Sequence, residues 1–409
     1  MNQQSSKATD FGYKICLVIY LLGMPNFWIE ELRLPKRFMK IYDAFKMCCN
    51  ILISILIMME LGAFFTQRNL SEKQNFNMIM YGISHPMLHM FSCLLAYNKE
   101  KIRAAIYKLM VQLKQPHNDD EAEKKMMRTT LIYVGTLNGS SVVAIFLYTC
   151  DSLQSLENNL SPGKTFTLLI TVWPGVNDTS QLADIGRAGF YIIWWLLVFR
   201  TLGVYMLVTT LVISLSHQYI NLQSYFYTLS EIFNRNDICQ REKEEKYYEA
   251  FKVGTEFHSD TLRCTNACQS LCSGVFSGQI MYNILVMTVI FAQMMKAERN
   301  LVNLIASGMT ASVVLLSTGL LMWNAGDITV EASKLYMAMY FSGWENCYGT
   351  STVRIRKLVV IAMSRAQVSF SNTSSLLPTA HVGSTSVACY NRLQMFAWHC
   401  AVCCLHLSI

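Results

Sequence analysis

Two histidines four residues apart share one face of a helix and can hold a zinc ion, and "HPMLH" puts His85 and His89 at that spacing. A zinc helix of this kind also needs a third ligand, and the hydrolytic ones carry a Glu directly after the first His. Here Pro86 follows, and no third ligand stands nearby, so a structural pair beside a proline kink is expected. Cys264, Cys268 and Cys272 repeat the helical spacing without a paired CxxC motif and read as small buried residues. Cys400 and Cys403 form an isolated CxxC near the chain end. There is no Gly-rich phosphate loop, no nucleophile elbow and no dinucleotide fingerprint. Enzyme is the class the sequence supports least, and no pattern asks for a cofactor or a metal.

Arg200, in "WWLLVFRTLGVYML", is a different kind of signal. A charge in the middle of an apolar run costs about 2.5–3.5 kcal/mol on insertion scales and marks a functional position by default. The alternatives are that it snorkels or pairs with a polar neighbour. Glu60, in another apolar run, is the candidate partner.

These residues lie in a chain built for a bilayer. Of its 409 residues, 52% are hydrophobic and only 15% charged, against about 25% charged in soluble domains. Runs long enough to cross a membrane as helices occur at 41–66, 76–97, 130–150, 188–216, 268–295 and 300–323. None shows the alternation of a barrel strand. A weaker seventh run occupies 386–409. The expected fold is all-α, a polytopic membrane bundle of seven spans. Its parts are an amino-terminal segment 1–40, a six-span bundle 41–323, an anchor-helix region 324–367 and an atypical carboxy-terminal segment 368–409. The early apolar run "ICLVIYLLGM" is too short to span and precedes no small-residue cleavage site, so no cleaved signal peptide is expected.

Loop charge predicts the threading. Alternate loops carry 25 Lys and Arg on one side and 6 on the other, which puts the amino terminus in the cytoplasm. Sequons at Asn69, Asn159 and Asn177 fall in loops assigned to the outside and are candidate glycosylation sites. An inverted threading removes most of the weight from a G-protein-coupled reading. The 14 cysteines fall mainly in spans or on the cytosolic side, so no disulfide framework is expected. The net charge of +7 is spread over loops that alternate with spans, so lipid is the expected surrounding and nucleic acid is not an expected partner.

Beyond the fourth span, Tyr219, Leu222, Phe226, Leu229 and Phe233 recur at helical spacing. "NRND" supplies a turn, and Tyr248, Phe251, Thr255, His258 and Leu262 repeat the stripe. Segment 217–264 therefore reads as a helical hairpin with apolar faces to bury, against its own chain or another subunit.

Longer stretches carry a family resemblance. "LLGMPNFW" resembles the entry motif of insect odorant receptors. "EAFKVGTEFHSDTLRCTNACQSLCSGVFSGQIMYNILVMTVIFAQMM" is similar to their helix leading into the fifth span, with the usual histidine at His258. "LLMWNAGDITVEASKLYMAMYFSGWENC" and "VRIRKLVVIAMSRAQ" resemble their carboxy-terminal signature, in wording close to moth and butterfly members. The likeness covers about residues 15–367. It implies a tuning subunit of a ligand-gated, non-selective cation channel that senses volatile odorants. It also implies a hetero-tetramer with a common co-receptor subunit in the plasma membrane of olfactory neurons, and a ligand pocket in the outer half of the bundle. A gustatory-type relative and a secondary transporter are the alternatives; "WNAGDITVEAS" favours the olfactory branch, and no internal repeat supports a transporter.

An apolar ligand needs an enclosed, mostly aromatic pocket. The outer ends of the spans offer Phe76, Met80, Tyr81, Ile145, Phe146, Tyr148, Tyr191, Trp194 and Trp195, with Tyr81, Phe146 and Trp194 preferred because they lie a turn or more inside. After Gln367 the resemblance fades: the text turns to "VSFSNTSSLLPTAHVGSTSV", and only "CYNRL" is similar to the start of the family's last helix. A replaced tail is expected there, in a chain that folds six spans and conducts poorly.

Overall fold

The computed structural model describes residues 6–68, 70, 72–157, 180–296, 301–349 and 351–373. Among these, every regular element is a helix: α1 (Lys7–Leu21), α2 (Lys36–Thr66), α3 (Glu72–Tyr97), α4 (Lys99–Met110), α5 (Asp120–Glu157), α6 (Gln181–Thr228), α7 (Gln240–Lys296), α8 (Leu301–Tyr340) and α9 (Thr352–Thr373). Helices α2, α3, α5, α6, α7 and α8 are long and apolar enough to cross a membrane and contain the six expected spans, but for residue 300, which lies outside the described residues. The weak run 386–409 lies outside the described residues. The polar text after Gln367 begins as helix, since α9 continues to Thr373.

Length explains the second layer. At 1.5 Å per residue, the 48 residues of α6 and 57 of α7 reach roughly 70 and 85 Å, far beyond a hydrocarbon core of about 30 Å. Their excess, with that of α8, packs with α1, α4 and α9 into a helical base. Helix α6 is the axle: 78% of its apolar window is buried, against 28% for α2 and 22% for α5, whose apolar faces point outward. The base holds the larger core, where Ile19, Phe27, Leu222, Phe226, Tyr247 and Phe251 are almost fully buried. The short apolar run of the first 24 residues is part of it, because α1 lies against α4, α5 and α6.

The hairpin 217–264 forms as expected, with its turn in 235–239, but its second stripe is rotated. Tyr247, Phe251, His258 and Thr261 are the buried residues, while Tyr248, Thr255 and Leu262 are half-buried. Gly254 sets this register. A Cβ there would come within 3 Å of the Phe226 ring, so the helices approach most closely on the face that carries the glycine. At the foot of α7, the Glu244 carboxylate accepts the backbone N–H groups of Tyr348 (2.8 Å) and Gly349 (2.7 Å), which ties α7 to the loop before α9. Burial pushes the His258 imidazole, ten residues before the expected span, down to about 4.

Candidate functional site

In the opposite half of the bundle, five helices leave a gap. Helix α3 contributes Met80, Tyr81, Ser84, His85 and Leu88, all on one face by their spacing. Helix α5 contributes Ser141, Ala144 and Ile145, and α6 contributes Trp194, Leu197, Val198, Thr201, Leu202 and Tyr205 at the same periodicity. Tyr282 and Val286 of α7 face Thr310, Val313, Val314 and Ser317 of α8. The cavity between them is about 160 Å³. An apolar cavity of about 150 Å³ is enough to take up benzene, so one small aromatic or branched volatile fits here.

One wall is held by a buried polar relay. The Trp194 indole N–H donates to His85 Nε2 at 3.0 Å, and His85 Nδ1 lies 2.7 Å from Glu60 Oε1. An indole can only donate, so Nε2 is the unprotonated ring nitrogen and Nδ1–H is given to Glu60. All three are at most 4% exposed. The relay joins α2, α3 and α6. Gly82 permits it: a Cβ at Gly82 would collide with the Phe64 ring, so only glycine lets α2 approach α3 closely enough. Pro86, inside α3, also deprives the Gly82 carbonyl of its helical donor.

Aromatic rings pack around the relay. Tyr81 stacks on the His85 ring at 4.8 Å and meets Trp194 edge-on at 6.5 Å. Tyr191 stacks on Trp194 at 5.6 Å from behind, and Tyr191 Oη lies 2.8 Å from Thr149 Oγ1 of α5. On the side toward the base, the Tyr205 hydroxyl donates to Gln279 Oε1 at 2.5 Å. Gln279 Nε2 then donates to Thr318 at 3.1 Å and Ser317 at 3.3 Å. This second network joins α6, α7 and α8, so the cavity sits between two polar ties that share α6 and otherwise join different helices.

Of the nine aromatic and apolar candidates, Met80, Tyr81, Ile145 and Trp194 line the cavity. Tyr191 and Trp195 form the layer behind Trp194. Phe76 is half-buried on α3, one turn from Met80, and does not line the cavity. Phe146 is placed differently from expectation. It is 61% exposed, because one residue of helix, about 100°, separates it from Ile145, which does face the cavity. The side chain of Tyr148 and the sequons Asn69, Asn159 and Asn177 lie outside the described residues. The contributions of α7 and α8 were not anticipated; their sequence signal is Tyr282 and Val286 at i, i+4 opposite Thr310, Val314 and Ser317.

The expected pairing of Glu60 with Arg200 does not occur. Glu60 is taken by His85, and Arg200 donates from Nη1 to Asn50 Oδ1 at 2.5 Å, on the side of α6 that faces α2. His85 and His89 do not act as a pair either: His89 Nε2 lies 3.4 Å from Ser54 Oγ and 3.6 Å from Cys93 Sγ. Among the described residues, no cluster of three His, Cys, Asp or Glu could hold a metal ion, and Cys264, Cys268 and Cys272 are buried free thiols.

The cavity thus lies inside a bundle of long apolar helices, between aromatic and aliphatic side chains. The model of the 7tm Odorant receptor family matches residues 75–376. The chain belongs to that family. Among solved structures, the insect olfactory receptor OR5 from Machilis hrabei is similar in fold, with TM-score 0.66, 14% identity, and coverage of 87% of this chain and 88% of that one. OR5 in complex with eugenol is similar over 97% of this odorant receptor and 100% of the other chain, with TM-score 0.69 and 13% identity. Comparison with curated protein sequences finds no match.

Proposed function

We propose that this odorant receptor is the tuning subunit of an odorant-gated, non-selective cation channel, and that the cavity between Tyr81, Trp194 and Tyr282 is its odorant pocket. The observation that carries the reading is the cavity itself. It lies between five helices and is lined mostly by aromatic and aliphatic side chains with few polar groups, the form a site takes when it must hold a small apolar molecule. The solved relative that holds eugenol supports the ligand class, a small volatile. A ligand there touches Tyr81, His85 and Trp194 on one wall and Tyr205 on another. It therefore presses on both polar ties at once, and shifting either moves one group of helices against the other.

In this reading the amino terminus is cytoplasmic, as the loop charge bias indicates, and the helical base of α1, α4 and α9 lies inside the cell. The chain works in the plasma membrane of olfactory sensory neurons, in a heteromer with the common co-receptor subunit. The exposed apolar residues Val353, Val360 and Ile361 on one side of α9 suit packing against a neighbouring subunit. Recording cation current from cells that express this chain with and without the co-receptor, under a panel of volatile alcohols, phenols, esters and terpenes, tests the reading. Odorant-evoked current only with both subunits is the expected result, weak for the chain as it stands and restored when a family-type tail follows Gln367; no current from either chain with any volatile at verified surface expression would refute it.

A further inference from the structure

Arg200 has no part in the odorant cavity, and it is the charge that most needs a counter-ion. It is 8% exposed, its Nε has no partner, and among the described residues no carboxylate pairs with it. Its one hydrogen bond goes to the neutral Asn50. The surroundings form a notch on the outer surface between α2 and α3: Asn50 and His89 are half-buried, while Ser54 and Cys93 are exposed. The buried Nδ1 of His89 is also without a partner. Two lysines stand near the notch, Lys46 largely buried and Lys99 partly exposed. Lys46 lies one helical turn from Asn50 and is within electrostatic reach of both Lys99 and Arg200. Lys46 is held by Asp43 at 2.7 Å and by the Met24 carbonyl at 3.3 Å, and Lys99 lies 3.9 Å from Glu100, so Arg200 is the member of the group whose charge is unanswered.

Apolar surface completes the picture. Ile51, Leu52, Ile55 and Met58 of α2 and Met90 of α3 are exposed beside the notch. A buried guanidinium without a counter-ion, with two lysines nearby, matches a phosphate, and an apolar flank continuing along the same helices matches acyl chains. A soluble anion would use the first and leave the second bare. We propose that this notch binds an anionic phospholipid from the leaflet at the α1–α4–α9 end of the bundle. Its phosphate lies between Arg200, Lys46 and Lys99, and its chains run along the exposed faces of α2 and α3. Each basic residue near a headgroup strengthens such binding about fivefold.

Native mass spectrometry of the full-length chain, purified in detergent, tests this with phosphatidylglycerol and phosphatidylcholine of identical chains. The expected result is at least tenfold preferential retention of phosphatidylglycerol, unaffected by millimolar inorganic phosphate. Arg200→Gln should lower retention about fivefold, and so should Lys99→Gln, a change at a partly exposed position that leaves the buried packing intact. Equal retention of the two lipids by the parent chain overturns the proposal without any variant. Parental retention by both Lys99→Gln and Arg200→Gln overturns it as well, and displacement by inorganic phosphate would reassign the notch to a soluble anion.

Discussion

Replacing His85 with Leu should do more damage than its size suggests, and replacing Glu60 with Leu in the same chain should repair part of it. The substitution leaves two buried groups without partners: the Trp194 N–H and Glu60 Oε1, whose other oxygen already has none. At about 1–3 kcal/mol for each stranded group, the loss is about 2–6 kcal/mol. Glu60→Leu alone strands only the His85 Nδ1–H, about 1–3 kcal/mol. The double variant strands only the Trp194 N–H, again about 1–3 kcal/mol. Independent effects would sum to about 3–9 kcal/mol, so the relay predicts a coupling of at least about 2 kcal/mol. Thermal denaturation of the three variants and the parent, followed by size-exclusion chromatography with fluorescence detection, measures it. A double variant whose loss equals the sum of the singles within about 0.5 kcal/mol would refute the relay.

Four further outcomes are expected. Trp194→Ala should change the order of preferred odorants more than it lowers surface expression, whereas Phe146→Ala, on the exposed face, should leave the order unchanged; dose–response curves over a fixed panel, with surface levels measured, compare the two. Ile145→Phe adds a ring to a cavity of about 160 Å³ and should weaken the response to the bulkiest agonists at least tenfold while sparing the smallest. Gly278→Val should lower surface expression several-fold, because a Cβ at that position collides with the fully buried ring of Phe91. The imidazole of His258 titrates near 4 in the folded chain against about 6.5 unfolded, so its folded pKa is depressed. The unfolded chain then binds the extra proton between those values, and stability falls as pH drops from 7.5 to 5.5, by about 1.4 kcal/mol. A melting-temperature comparison of the parent with His258→Leu, in which that acid sensitivity should vanish, checks the sign.

The six spans were legible because apolar length is a one-dimensional property, and their bounds hold within the longer helices that the structure shows. The base was legible in part. The first stripe of the hairpin reads directly, but the second is displaced by one residue at three of its five positions, since a close approach at Gly254 outweighs the count of large residues on a face. Depth along the spans points to Tyr81 and Trp194, and both line the cavity. Depth carries no information about rotation, which is why Phe146 was preferred over its neighbour Ile145. The relay was beyond reach for another reason. Glu60, His85 and Trp194 stand far apart in sequence, and choosing His85 over Arg200 as the partner of Glu60 requires knowing which faces of α2, α3 and α6 meet.

The most direct test of the odorant pocket is a structure of the assembled receptor with an activating volatile bound. The account predicts ligand density enclosed by Tyr81, Trp194, Tyr282 and Val286, within reach of Ile145 and Tyr205. Density for the ligand anywhere else in the assembly, with this cavity filled by its own side chains, would contradict it.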